Sequence, residues 1–173
     1  KLTDVDSEAA QRSHQHLCDF TDYLGQLDAD LVSFDFQHIQ KDLTAGMYFD
    51  SSIPQGYGVG SSGALVAAMY DRYAVDKITV LENLTRDKLL KLKAIFSAME
   101  SFFHGTSSGL DPLNSYLSLP ILIHSHNHIE PTGIPSQPKE GKGAVFLLDS
   151  GASGETAPMV SVFMKQMEQV AFQ

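Results

Sequence analysis

The sequence predicts a globular α+β protein, and three observations support this. Hydrophobic residues make up 43% of the 173 residues, enough to bury a core. Residues 5–27 and 85–104 carry apolar side chains at helical spacing. Residues 45–53, 121–123 and 144–148 have the composition of short strands, and we expect the last to be buried. This length accommodates one domain, or one domain and part of another.

Charge, hydropathy and cysteine content exclude several classes of protein. The formal net charge is −9, with no basic cluster, which argues against a nucleic-acid-binding surface. No apolar stretch is long enough to cross a bilayer, so we expect no membrane partner. Cys18 is the only cysteine, which fits a reducing, cytoplasmic location. The N-terminus lacks an initiator Met and a signal peptide, so we expect a chain that begins inside a larger protein.

The other N-terminal elements are predicted from local signals. The helix that follows a glycine-rich segment continues to about Tyr73, and residues 110–119 form another helix, which an Asp-Pro pair opens. Residues 31–43 are ambiguous, although alternating phenylalanines indicate a short extended piece. Residues 78–81 have the composition of a strand.

The C-terminal part predicts the opening of a second domain. Residues 131–142 are rich in Pro, Gly and Ser and are the best candidate for a linker. The strand at residues 144–148 leads into an apolar-periodic helix from Ala157 onward. Because these two elements have no partners left in the sequence, we place the domains at residues 1–140 and 141–173.

Three alternate histidines, His124, His126 and His128, follow the strand that starts at residue 121. Alternate residues of a strand share one face, so a metal site there is conceivable. No Cys, Asp or further His lies nearby to complete the coordination. A partly exposed strand end is the better interpretation.

Residues 56–63 point most directly to function, because they hold four glycines and two serines and run into an apolar helix. We expect Ser61 or Ser62 to cap that helix. A glycine loop before a helix N-terminus presents N–H donors and the positive end of the helix dipole. Phosphate is the expected ligand, because glycines let the backbone approach its oxygens closely.

Two common phosphate loops fit this segment poorly. A Walker A loop needs a lysine after its glycines, and none follows. Residues 58–63 satisfy the Rossmann pattern G-x-G-x-x-G, and Glu82 lies at a suitable distance for a ribose contact. Residues 50–54, however, are largely polar and include a proline, whereas the strand before a Rossmann loop is buried on both faces. An NAD-binding protein is therefore a weaker alternative.

A third interpretation rests on a family resemblance. Pro54-x-x-x-Gly58-x-Gly60-Ser61-Ser62 resembles the second motif of the GHMP kinases, which include galactokinase, homoserine kinase, mevalonate kinase and phosphomevalonate kinase. The family pattern is usually Pro-x-x-x-Gly-Leu-Gly-Ser-Ser-Ala. Val59 and Gly63 depart from it, and both are mild changes that keep the loop compact.

Two further stretches follow in family order. Residues 104–111 read His-Gly-x-x-Ser-Gly-x-Asp, with Glu100 one helical turn before, and resemble the mevalonate kinase branch. Residues 148–151, with Thr156 and Val160 downstream, resemble the strand, turn and helix that open the family's C-terminal domain.

The resemblance implies a fold and an activity. It implies a mixed sheet backed by helices, of the ribosomal-protein-S5-domain-2-like kind, followed by the start of a truncated ferredoxin-like C-terminal domain. It implies ATP- and Mg²⁺-dependent phosphorylation of the 5-hydroxyl of mevalonate, a step of isoprenoid biosynthesis. The family's N-terminal lysine and third glycine motif are missing, so we expect this chain alone to be inactive. Another GHMP kinase substrate, a non-catalytic ligand sensor and a homodimer are left open.

The resemblance also assigns roles to residues. Asp111 matches the catalytic base, although an Asp-Pro pair can equally cap a helix. The hydroxyl of Ser62 and the carboxylate of Glu100 would ligate Mg²⁺, which requires that their two helices pack together. Ser108 and Thr156 would contact the substrate. The residues that would bind the ATP phosphates are Gly58, Gly60, Ser61, Ser62 and Gly63.

Two neighbouring positions refine this assignment. His104 would hold its loop in place by hydrogen bonding rather than exchange protons. Gly154 stands where the mevalonate kinase pattern often has an Arg, which removes a charge partner for a substrate carboxylate.

Overall fold

The computed structural model describes residues 6–53, 57–79, 84–125, 128–133 and 156–169, together with Phe146, Leu148, Gly151 and Gly154. Within these residues the chain forms helices and one hairpin. The elements are α1 (Glu8–Leu24), α2 (Phe36–Thr44), α3 (Ser61–Tyr73), α4 (Arg86–His104), α5 (Leu110–Leu117), β1 (Ile121–Ser125), β2 (His128–Pro131) and α6 (Thr156–Met167).

Three of the helices whose N-termini the structure describes begin at side-chain N-caps. Ser7 accepts a hydrogen bond from the backbone N–H of Ala10 at the start of α1, at 3.2 Å. Asp35 caps α2 and Thr85 caps α4 in the same way. Each cap satisfies one of the N–H groups that a helix leaves without an internal partner. The start that the sequence predicts for α4, at Thr85, is therefore confirmed.

The helices α3 and α5 begin differently. Their N-caps are Gly60 and Gly109, both in the left-handed conformation, with φ of 78° and 72° and no side-chain cap. The prediction that Ser61 or Ser62 caps α3 is therefore wrong, because the chain enters the helix through a backbone conformation that glycine adopts without strain.

The core lies between α3, α4 and α5, with α1 and α2 packed around them. The rings of Tyr70, Phe96 and Tyr116, one from each central helix, meet edge to face with centroids 5.1–5.5 Å apart. The apolar stripe predicted for α4 is buried: it consists of Leu89, Leu92, Ile95, Phe96 and Met99.

The sheet of the described residues is a two-stranded antiparallel hairpin of β1 and β2. Ile129 of β2 is buried in the hydrophobic core, and β2 packs against α4. The structure is thus a mixture of helices and strands, as predicted. The predicted mixed sheet backed by helices is not seen in the described part of the chain, where helices supply most of the core.

Residues 45–53 do not form the predicted strand. The backbone N–H and carbonyl of Phe49 both bond to the hydroxyl of Ser13 in α1, at 2.8 and 2.9 Å. His14 of the same helix bonds to the carbonyl of Met47 at 2.7 Å. Because side chains of α1 satisfy these backbone groups, the segment is held without a neighbouring strand.

Two shorter segments that were predicted to be extended also form no full strand in their described residues. Phe34 forms one isolated bridge with Ala74, directly before α2 begins. Ile78 and Thr79 are not in a strand. The hydroxyl of Tyr70 accepts from the N–H of Ile78, and the hydroxyl of Tyr116 donates to its carbonyl. The rest of this segment, with Glu82, lies outside the described residues.

The C-terminal predictions have mixed outcomes. Helix α6 confirms the helix predicted from Ala157. Phe146 and Leu148, the described members of the predicted buried strand, are 86% and 92% exposed and lie in no strand. Burial of such a strand requires a neighbour to pair with, and the strands among the described residues, β1 and β2, pair with each other. Most of the predicted linker lies outside the described residues.

No described helix combines the length and the apolar character that crossing a bilayer requires.

Candidate active site

The N-terminus of α3 is open and glycine-lined. Gly58 and Gly60 both have positive φ, at 67° and 78°, and among the described residues no atom beyond their immediate chain neighbours lies within 4 Å of where a β-carbon would stand. The first N–H groups of a helix have no acceptor within the helix, and the helix dipole makes this end positive. The segment can therefore bind an anion through its backbone.

Ser62 and Glu100 meet, as their assigned roles require. Ser62 lies in the first turn of α3 and Glu100 near the end of α4. The hydroxyl of Ser62 donates to Oε1 of Glu100 at 3.3 Å. Glu100 is only 3% exposed, so the carboxylate lies at the inner end of the site, between the two helices.

His104, the last residue of α4, contacts the same hydroxyl. Its Nε2 lies 3.2 Å from Oγ of Ser62. A serine hydroxyl has one proton to donate. If that proton goes to Glu100, the N–H at Nε2 donates to Oγ, and His104 orients the Ser62 side chain.

Ser107 is a member of the site for which the sequence predicts no role. Its hydroxyl donates to Oε2 of Glu100 and also accepts from the N–H of Gly109 at 3.0 Å. Its carbonyl accepts from the hydroxyl of Ser97 at 2.6 Å. Both oxygens of Glu100 therefore have hydroxyl donors. The sequence places Ser107 beside Ser108 in the same motif but does not indicate which serine faces the carboxylate.

Gly63 brings α5 against this site. A β-carbon added at Gly63 would lie 2.8 Å from the carbonyl carbon of Asp111 and from the nitrogen of Pro112. The first turns of α3 and α5 are thus in direct contact. Asp111 is the second residue of α5 and is exposed, and Gly109 takes the N-cap position. The alternative that Asp111 caps its helix is therefore wrong.

Of the two residues assigned to substrate binding, the structure describes the side chain of Ser108 but not that of Thr156. The hydroxyl of Ser108 accepts from the N–H of Leu110 at 3.3 Å, which leaves its proton free to donate. Thr156 begins α6, and its side chain lies outside the described part of the chain. The residues that the fold brings together are Gly60, Ser62, Gly63, Glu100, His104 and Asp111.

A helix N-terminus that can accept an anion, next to the carboxylate of Glu100 and to the turn of α5 that carries Asp111, is a candidate phosphoryl-transfer site. Residues 30–118, just over half of the chain, match the family described as GHMP kinases N terminal domain. The chain belongs to the GHMP kinases, a family of ATP-dependent kinases of small molecules. The comparisons with curated proteins and with solved structures found no match.

The NAD-binding alternative gains no support from these findings. Residues 47–53, which would hold the strand before a Rossmann loop, form no strand. The described hairpin is antiparallel, and residues 58–63 fall within the match to the kinase family.

Proposed function

We propose that this chain carries the phosphate-binding and Mg²⁺-binding part of a kinase that transfers the γ-phosphoryl group of ATP to the 5-hydroxyl of mevalonate. One observation carries the proposal: the hydroxyl of Ser62, at a helix N-terminus without a side-chain cap, lies 3.3 Å from the buried carboxylate of Glu100. The choice of mevalonate rests on the resemblance of residues 100–111 to that branch of the family.

The helix N-terminus suits the ATP phosphates. Backbone N–H groups of Ser61, Ser62 and Gly63 occupy the first turn of α3, where a helix offers donors to an anion. The glycines at 58 and 60 leave open space where side chains would otherwise stand. A triphosphate can therefore approach the backbone closely, even though the protein has a formal net charge of −9.

The donor set around Glu100 suits Mg²⁺, which prefers oxygen ligands and takes few of them from protein. The hydrogen bonds that the described residues make to Glu100 come from two neutral hydroxyls, those of Ser62 and Ser107. A buried carboxylate is costly without a positive partner. When bound, Mg²⁺ neutralises negative charge on the phosphates. Ser62 and Glu100 are the residues that would hold it.

Asp111 is the proposed general base. It lies at the contact between α3 and α5, beside the turn that holds Ser62. Its carboxylate takes the proton of the substrate hydroxyl as the oxygen bonds to the γ-phosphorus. ADP leaves with the electron pair of the broken bond. Such a base is needed for transfer and not for binding.

The proposed substrate contacts are the hydroxyls of Ser108 and Thr156. The sequence offers Gly154 where an Arg often pairs with the substrate carboxylate. Phosphomevalonate and other small hydroxy acids are therefore the first substrates to compare with mevalonate.

The test is Asp111→Asn in the full-length protein, assayed by ADP release with each of these substrates. We expect kcat on mevalonate to fall at least about 100-fold, because a positioned base contributes about that much or more. The KM for ATP and the melting temperature should be unchanged, because the residue is exposed and the amide has the same shape. Asn114→Ala, an exposed change in the same helix, is the matched control.

Other outcomes would overturn the proposal. Turnover that survives Asp111→Asn would remove the base from its role. ATP binding without ADP release for any hydroxy acid would favour a ligand sensor. Faster turnover of another substrate would correct the choice of mevalonate alone.

A further inference from the structure

We propose that the outer face of the β1–β2 hairpin binds one divalent transition-metal ion of the Zn²⁺ class through His124, His128 and Glu130. These residues belong to neither the Ser62–Glu100 pair nor the turn at Asp111. The ion would therefore be distinct from the Mg²⁺ of the kinase reaction.

The three side chains lie close enough together to share one metal ion. One ligand atom of each lies within 4.8 Å of the other two. Nitrogen and oxygen ligands at about 2.0–2.1 Å from Zn²⁺ in a tetrahedron stand about 3.3 Å apart. The pair His124 Nε2 and Glu130 Oε1 is now at 2.8 Å. Small side-chain rotations suffice to place an ion between them.

The register of the hairpin creates this cluster. Leu122 pairs with Glu130 and Ile123 with Ile129, and an irregularity between Ile123 and Ser125 then makes Ser125 the partner of His128. This leaves His124 opposite the same stretch of β2, with its ring 4.5 Å from that of His128. His128 and Glu130 are two apart on one strand and share a face. The extra residue in β1 thus aims a third ligand at that face.

The hairpin is also fixed to the protein. Ile129, between the two ligands of β2, points to the opposite face and is 2% exposed in the core. The N–H of Thr132 bonds to the carbonyl of Pro120 at 2.8 Å and closes the open end of the hairpin. The ligands therefore stand on an anchored element, which reduces the entropy that binding would cost.

The chemistry of the donors selects the metal. Two imidazole nitrogens favour Zn²⁺ and its neighbours over Mg²⁺ or Ca²⁺, which prefer oxygen. Three protein ligands leave at least one position open for water. All three residues are exposed, so an ion can enter from solvent. The sequence alone indicated the histidines as possible ligands but not Glu130, because Glu130 comes close to His124 only when β1 and β2 pair.

The test is a calorimetric titration of the full chain, free of any affinity tag, with zinc chloride. We expect one equivalent of Zn²⁺ to bind in the micromolar range or tighter. His128→Ala and Glu130→Gln should each weaken binding at least tenfold, and the isosteric Gln keeps a hydrogen-bond partner for His124. His16→Ala, which removes an exposed histidine of α1, is the matched control and should bind as the unaltered chain does.

Two further measurements complete the test. Circular dichroism must show that each variant is folded, and a large excess of Mg²⁺ must leave Zn²⁺ bound. Binding that is equally strong in His128→Ala and Glu130→Gln, an equal loss in His16→Ala, or displacement by Mg²⁺ would overturn the proposal. None of these results depends on kinase activity, so they are separate from the test of Asp111.

Discussion

At the scale of single residues, Gly63 sets how closely two helices of the site approach. The neighbours that an added β-carbon would meet, at 2.8 Å, are backbone atoms of Asp111 and Pro112. Backbone atoms cannot rotate away as a side chain can. The usual family motif has Ala at this position. From the sequence, Gly in its place is a mild change. In the structure, the missing β-carbon is what allows α3 and α5 to approach this closely.

Overpacking usually costs about 1–3 kcal/mol, and the contact with backbone atoms places Gly63→Ala at the upper end of that range. After subtracting the gain of up to about 1 kcal/mol that Ala brings to a helix, we expect the free energy of unfolding to fall by about 1–2 kcal/mol. Chemical denaturation followed by circular dichroism measures it. Ala68→Ser, an exposed change in the same helix, should shift the free energy by less than about 0.5 kcal/mol. A Gly63→Ala variant as stable as the unaltered chain would mean that α5 stands further away.

Ser62 and Ser107 show which contacts of the site could be predicted from the sequence and which could not. The motifs paired Ser62 with Glu100, and the structure places their oxygens at 3.3 Å. The role of Ser107 could not be read in the same way. A serine hydroxyl bonds to whichever acceptor the turn presents, and the turn that aims Ser107 at Glu100 closes against Ser97 of α4.

At the scale of elements, a polar cluster joins α2 to α3. The hydroxyl of Tyr73 donates to Oδ2 of Asp42 at 2.7 Å, and two guanidinium nitrogens of Arg72 donate to the same oxygen at 2.6 and 2.9 Å. Nε2 of His38 lies 3.5 Å from it. The Tyr73 hydroxyl first, and then Arg72, lower the pKa of the Asp42 carboxyl from its ordinary value of 3.8. Folding thus favours the ionised carboxylate.

The sign of the pH dependence follows from this shift. Because the pKa of Asp42 is lower in the folded chain, its contribution to stability is complete well above pH 3.8 and is lost as the pH falls through the folded pKa. In Asp42→Asn we expect a lower melting temperature at pH 7 and a shallower fall below about pH 4. Thermal melts from pH 2 to pH 7 measure both, and Asp30→Asn, an exposed change, is the control. Parallel curves for Asp42→Asn and the unaltered chain would contradict the linkage.

Helices with an apolar stripe that repeats over several turns were predictable from the sequence, and short apolar segments without such a repeat were not. The stripe of α4, from Leu89 to Met99, spans about three turns of helix and identifies both the element and its buried face. Residues 45–53 have the composition of a short strand, but the backbone of Met47 and Phe49 is satisfied by Ser13 and His14 of α1. Composition cannot tell a partner strand from a partner helix.

At the scale of the whole molecule, the described core is confined to the N-terminal part. Its buried apolar residues run from Ala10 to Ile129. The described side chains of helix α6 contribute none of them, and Met159, Val160 and Met164 are 51–60% exposed. This distribution supports residues 1–140 and 141–173 as separate domains, which stays a proposal.

A chain that ends at residue 140 tests it. Because the described core is retained, we expect its melting temperature to lie within about 2 °C of that of the full chain. Differential scanning calorimetry gives both temperatures and shows whether one cooperative transition remains. A fall of more than about 5 °C would mean that residues 141–173 complete the core and that the boundary is misplaced.

By itself the sequence determined the helices with a clear period, the glycine-lined helix N-terminus, the motif residues of the site and the kinase family to which they point. These are local properties, fixed by the spacing of side chains along a few turns. The tertiary structure decided how close α3 and α5 stand, which serine faces Glu100, and that Glu130 joins two histidines. Each of these depends on residues that meet only after the chain has packed, because hydrogen bonds and contacts form between neighbours in space.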